Sequence, residues 1–92
     1  MLVRSVPSSH STIASVEGTI RLEFNSRIDS PRSVLLLIGS AGTEKVPPVS
    51  EPEPNVLGGR LKALAPGAYL LRWQVLATDG HITRGEIPFN VR

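Results

Sequence analysis

Cysteine is absent from the 92 residues, which excludes disulfide frameworks, thiolate metal sites and thiol nucleophiles together. Methionine occurs once, at Met1, so no metal site built from several thioethers is available. Aromatic residues are few, with one Trp, one Tyr and two Phe, and no stretch concentrates charge of one sign. Ten basic and eight acidic residues are interleaved for a net charge of +2. A phosphate-tracking surface needs clustered cations and usually aromatic platforms, so nucleic acid is not an expected partner. Long apolar runs are missing too. The longest, residues 34–38, is far short of the roughly 18 residues that span a membrane. Met1-Leu2-Val3-Arg4-Ser5 lacks the charged and then apolar regions of an export signal, which leaves a cytoplasmic protein or one whose signal is not in this chain.

What is present is ordinary globular composition, 40% hydrophobic and 20% charged, in a length suited to one domain, taken as residues 1–92. Period-2 alternation dominates. Ile20, Leu22 and Phe24 alternate with Arg21 and Glu23, and Tyr69, Leu71, Trp73 and Val75 alternate with Leu70, Arg72, Gln74 and Leu76. Strands are expected over residues 17–24, 33–38, 68–77 and 85–91, with Ile20, Leu22, Phe24, Tyr69, Leu71, Trp73 and Phe89 buried. Pro88 should restrict the last strand to an edge or a bulge. Residues 57–64 give a weaker pattern interrupted by Gly58-Gly59, which reads as a hairpin turn, as does Gly42-Thr43. Residues 47–54 form a Pro-rich loop, and no segment of useful length has helical period. About seven short strands with frequent turn signals point to an all-β Greek-key barrel or sandwich of immunoglobulin-like type.

Hydrolytic chemistry finds little support: none of Ser8, Ser9 or Ser11 lies in a Gly-x-Ser-x-Gly context, and Glu51 and Glu53 sit in a Pro-rich loop that reads as solvated. Asp79-Gly80-His81 differs, because it follows the best strand in the chain. Counting by twos from Tyr69 through Trp73 and Ala77 reaches Asp79 and His81, so a strand that stays regular projects both to the core-facing side. A carboxylate and an imidazole two residues apart can offer oxygen and nitrogen donors to one ion. The plainer alternative is an Asp-Gly turn with a hydrogen-bonded histidine.

Three pieces of the chain carry a resemblance: Leu2-Val3-Arg4-Ser5-Val6-Pro7, then residues 64–73 leading through Pro66-Gly67 to Trp73, then Ala77-Thr78-Asp79-Gly80-His81 with Gly85 and Phe89 after it. With Ile20-Arg21-Leu22-Glu23-Phe24-Asn25 in the place of a second strand, the sequence resembles the copper-resistance protein CopC family, loosely over residues 29–60. The resemblance implies a Greek-key barrel that binds copper(II) in the periplasm, for storage, buffering or transfer, and no catalytic turnover. By similarity Asp79 and His81 are the metal ligands. The family's further ligand, an N-terminal histidine chelating through its amine and ring, would stand three positions before Leu2, where only Met1 precedes. Either the residues that supply it are not in this chain, or the chain is a natural variant, which puts copper binding itself in question; as it stands, without that histidine, the chain is expected to bind copper(II) weakly. His10 is expected to be an exposed loop side chain, able to substitute only if its loop folds over the site. Trp73 reads as core. A monomer is expected, with a membrane copper transporter of the CopD type as a possible partner. Two other readings are an immunoglobulin-like interaction module that has lost the metal, and a copper oxidase using an N-terminal histidine chelate.

Overall fold

The computed structural model describes residues 1–14 and 18–92. Among these residues nine strands fall in two sheets: β1 (Leu2–Val6), β2 (Ser11–Ile13), β3 (Gly18–Phe24), β4 (Val34–Gly39), β5 (Gly42–Val46), β6 (Val49–Ser50), β7 (Val56–Leu61), β8 (Gly67–Leu76) and β9 (Ile82–Val91). One sheet runs β1-β3-β7-β6 and the other β2-β9-β8-β4-β5. Every pairing is antiparallel except β2 with β9, which is parallel. A 3₁₀ turn at Ser30–Arg32 is the only helical element among the described residues.

The alternating strands form because each has one face to bury. Ile20, Leu22 and Phe24 from β3, Leu35 and Leu37 from β4, Leu71, Trp73 and Val75 from β8, and Ile87, Phe89 and Val91 from β9 meet in one core between the sheets. Sheet-on-sheet packing needs this interdigitation of inward residues. Phe24 meets Trp73 edge to face, with ring centroids 5.2 Å apart. Tyr69 departs from expectation in being only half-buried. It lies at the start of β8, where its ring stacks on Phe89 at 5.7 Å and its hydroxyl donates to the Ala65 carbonyl, so the polar tip stays at the surface.

Other expectations need adjustment. Glu17, the first residue of the strand expected at 17–24, lies outside the described residues. Gly58-Gly59 is not a turn but the buried middle of β7. A Cβ on Gly58 would sit 2.5 Å from Glu51 Oε1 and 2.9 Å from the Val49 carbonyl, and one on Gly59 3.0 Å from Leu35 Cδ1, so close approach rather than chain reversal selects glycine. Gly42 does end a two-residue hairpin loop, yet it also opens β5. The Pro-rich stretch contains the two-residue β6, confined to a sheet edge. Pro88 is tolerated because β2 pairs with β9 only from Phe89 onward, so no N–H is needed at position 88, whose carbonyl accepts the His10 N–H, and the register with β8 runs through it without a bulge.

Candidate metal centre

β8 does not continue to Asp79. It ends at Leu76, and residues 78–80 form a tight loop into β9 closed by Gly80 N–H donating to the Ala77 carbonyl (2.9 Å) and Ala77 N–H to the His81 carbonyl (2.8 Å). Gly80 takes φ 95°, the left-handed conformation that a three-residue hairpin loop requires and glycine adopts at least cost. The parity argument therefore fails, and Asp79 and His81 are exposed rather than core-facing.

The turn nevertheless brings the two side chains together. His81 Nδ1 lies 3.0 Å from Asp79 Oδ2, and the His81 backbone N–H donates to Asp79 Oδ1 at 3.1 Å. The second contact is the asparagine/aspartate-type turn in which a short side chain caps the backbone two residues on. These hydrogen bonds, the backbone one foremost and the imidazole one next, hold the Asp79 carboxyl below the usual carboxylate range. A depressed carboxyl stabilises the loop fully above the ordinary aspartate value of about 3.9 and loses that contribution as pH falls through its own lower value. In an NMR titration Asp79 should thus titrate below about 3.9, and His81→Ala should restore only part of the difference because the backbone N–H survives. Full restoration would show that the imidazole alone sets the shift.

The amino terminus lies at the same end of the sandwich. The Met1 ammonium donates to Asn25 Oδ1 (2.9 Å), and the Asn25 N–H donates to the Met1 carbonyl (3.1 Å). Two residues on, the Arg27 carbonyl accepts the Thr78 N–H (3.1 Å), and Ile28 bridges to Ala77. Segment 25–28 thus ties the start of β1 to the turn that carries Asp79 and His81. Asn25 was not singled out by the sequence, and its only signal was its place directly after the alternating β3 residues. His10 is at the other end: its N–H donates to the Pro88 carbonyl at 2.6 Å, six ladder positions along β9 from Ile82, or roughly 20 Å at strand rise. It does not fold over the turn. Among the described residues no group of three or more His, Cys, Asp or Glu side chains is placed to hold an ion, so Asp79 and His81 offer two donors.

The model of the CopC domain matches residues 2–92. The chain belongs to the CopC family. The crystal structure of CopC from Methylosinus trichosporium OB3b superposes with a TM-score of 0.87 at 28% identity, covering 98% of this chain and 90% of that one. PcoC, a methionine-rich copper resistance protein from Escherichia coli, shares the fold with a TM-score of 0.78 at 23% identity over 99% and 96% of the two chains. The copper transport protein CutJ of Bacillus subtilis (strain 168) is 25% identical over 98% of this chain, which spans only 17% of that relative's length. As a CopC-family chain it has a copper-related function and is not an enzyme. Among the described residues no helix is long and apolar enough to cross a membrane.

Proposed function

We propose that this CopC-family chain is a periplasmic copper(II)-binding domain, folded as one unit over residues 1–92, that stores, buffers or hands over the ion as a monomer. The observation that carries the reading is the Asp79–His81 pair, with Nδ1 and Oδ2 3.0 Å apart on an exposed turn at the same end as the amino terminus. A carboxylate and an imidazole suit the tetragonal nitrogen and oxygen preference of copper(II), and exposure leaves room for further donors and for transfer to a partner. A membrane transporter of the CopD type is the natural recipient in this reading.

Titration with copper(II) against a competing chelator tests it. Weak one-to-one binding is expected, at least tenfold weaker in both Asp79→Asn and His81→Ala, and declining in acid because neutral imidazole is the ligating form. Binding unchanged in both variants would move the ion elsewhere. A folded chain that binds no copper at all would favour the immunoglobulin-like interaction module.

A further inference from the structure

The two outer faces of the sandwich are built differently. On the β1-β3-β7-β6 sheet charged pairs cross the outward face, Arg4 4.0 Å from Glu23 and Arg21 3.5 Å from Glu53, and the apolar Val6 beside Arg21 stands isolated and 49% exposed. On the other sheet the outward positions of β4 are Val34, Leu36 and Ile38, all half-buried, so the continuous apolar run of this strand has only one face in the core. Runs of this kind belong to strands covered on both faces. The strip extends sideways. Ile38 pairs with Leu70 and Leu70 with Pro88, giving one apolar row, and Leu76 pairs with Ile82, which is 54% exposed.

Cations flank the strip. One row across the sheet reads Lys45, Leu36, Arg72, Glu86, and the next reads Val34, Gln74, Arg84. Arg72 is paired with Glu86 at 2.7 Å, whereas Lys45 and Arg84 have no ion-pair partner among the described residues. A dent of about 120 Å³ opens between Val34, Leu36, Arg72 and Arg84. Lys45 on β5 and Arg84 on β9 stand three strand spacings apart, about 14 Å, with a seam of Val34 and Leu36 from β4 and Arg72 and Gln74 from β8 between them. An α-helix with its side chains is about 10–12 Å across, so a helix laid along the seam fits between the two cations.

We infer that the outer face of β4 and β8 is a docking surface for an acidic amphipathic helix of another polypeptide, whose aliphatic stripe covers Val34, Leu36, Ile38 and Leu70 while flanking carboxylates meet Lys45 and Arg84. Unpaired cations beside an apolar strip select an acidic partner over a basic or neutral one. The surface is independent of the copper site, so either can fail without the other.

The test uses the full chain and a synthetic amphipathic peptide of leucine and glutamate, about 14 residues long to match the length of β4, beside a leucine–lysine peptide of the same pattern. In a two-dimensional amide NMR titration, shifts should map to β4, β5, β8 and β9 around Leu36, Leu70 and Arg84, with at least tenfold preference for the acidic peptide. Leu36→Gln and, separately, Arg84→Glu should each weaken binding at least fivefold while leaving the copper titration unchanged; Arg84 is exposed, so that variant keeps the fold if Leu36→Gln does not. Equal binding of the two peptides, or shifts on the opposite sheet, overturns the inference. So does concentration-dependent dimerisation abolished by Leu36→Gln, which makes a second copy the occupant, or binding to anionic phosphatidylglycerol vesicles with none to the acidic peptide.

Discussion

Trp73→Ala should lower the unfolding free energy by about 3–5 kcal/mol, the loss typical of deleting a large aromatic side chain from a packed core. The side chain is 6% exposed, meets Phe24 edge to face, and lies so close over Gly85 that a Cβ there would stand 2.5 Å from the indole. Removing the ring therefore empties volume that the facing strand has no side chain to fill. One opposing effect is visible: Trp73 Nε1–H is buried with no acceptor among the described residues, and an unsatisfied donor costs about 1–3 kcal/mol. The alanine variant loses that cost with the ring, which places the net loss toward the lower end. A domain of this size has only about 5–15 kcal/mol in total, so the variant should be folded but close to its limit in urea. Trp73→Phe separates the contributions, since it drops the orphaned N–H and keeps most of the apolar contact. It should cost clearly less than alanine. A loss below about 1 kcal/mol for Trp73→Ala would show that the ring is not core.

The parts of the fold legible in the sequence are those where burial on one face imposes a period. β3 and β8 have a core on one side and solvent or a half-covered face on the other, so alternation at Ile20, Leu22, Phe24 and at Leu71, Trp73, Val75 reports the strand and its inward face together. β5, Gly42–Val46, carries no such signal because it is an edge strand exposed along most of its length, with only Val46 buried. β1, β2 and β6 are short edges with the same difficulty. The glycines of β7 mislead for another reason: glycine signals a turn from sequence, while here the Glu51 side chain and Leu35 crowd the backbone from either side.

The two side chains read together from the sequence do meet, but by another route. Asp79 and His81 meet because Asp79-Gly80 makes a hairpin loop and the carboxylate caps the His81 N–H, not because a strand alternates. The Asp-Gly pair is itself a loop signal, and giving it priority over strand parity places both residues at the surface. The nearness of the amino terminus had no sequence signal beyond the family resemblance. It depends on the hydrogen bonds of Asn25 and Arg27, which join positions far apart in the chain.

Adding His-Ala ahead of Met1, with a free amino group, should tighten copper(II) binding by at least about a hundredfold, or roughly 2.8 kcal/mol at 1.4 kcal/mol per tenfold. Asp79 and His81 supply two donors, whereas an N-terminal histidine adds an amine and an imidazole already tethered to one another. Once one of them binds, the other does so at high effective concentration. The geometry favours their arrival, because Met1 is anchored by Asn25 at the end of the sandwich that carries the Asp79–His81 turn, and two further residues reach up to about 7 Å. Asn25→Ala should lose part of the gain by loosening that anchor, without altering binding in the unextended chain. Competition titrations on the short chain, the extended chain and an N-acetylated extended chain, each with and without His81→Ala, decide the matter. Equal affinity of the short and extended chains would remove the amino terminus from the site. Insensitivity of the extended chain to His81→Ala would remove His81. The expected pattern is that acetylation and His81→Ala each abolish most of the gain, because a tetragonal copper(II) site assembled from the amino terminus and the Asp79–His81 turn needs the amine and the imidazole together.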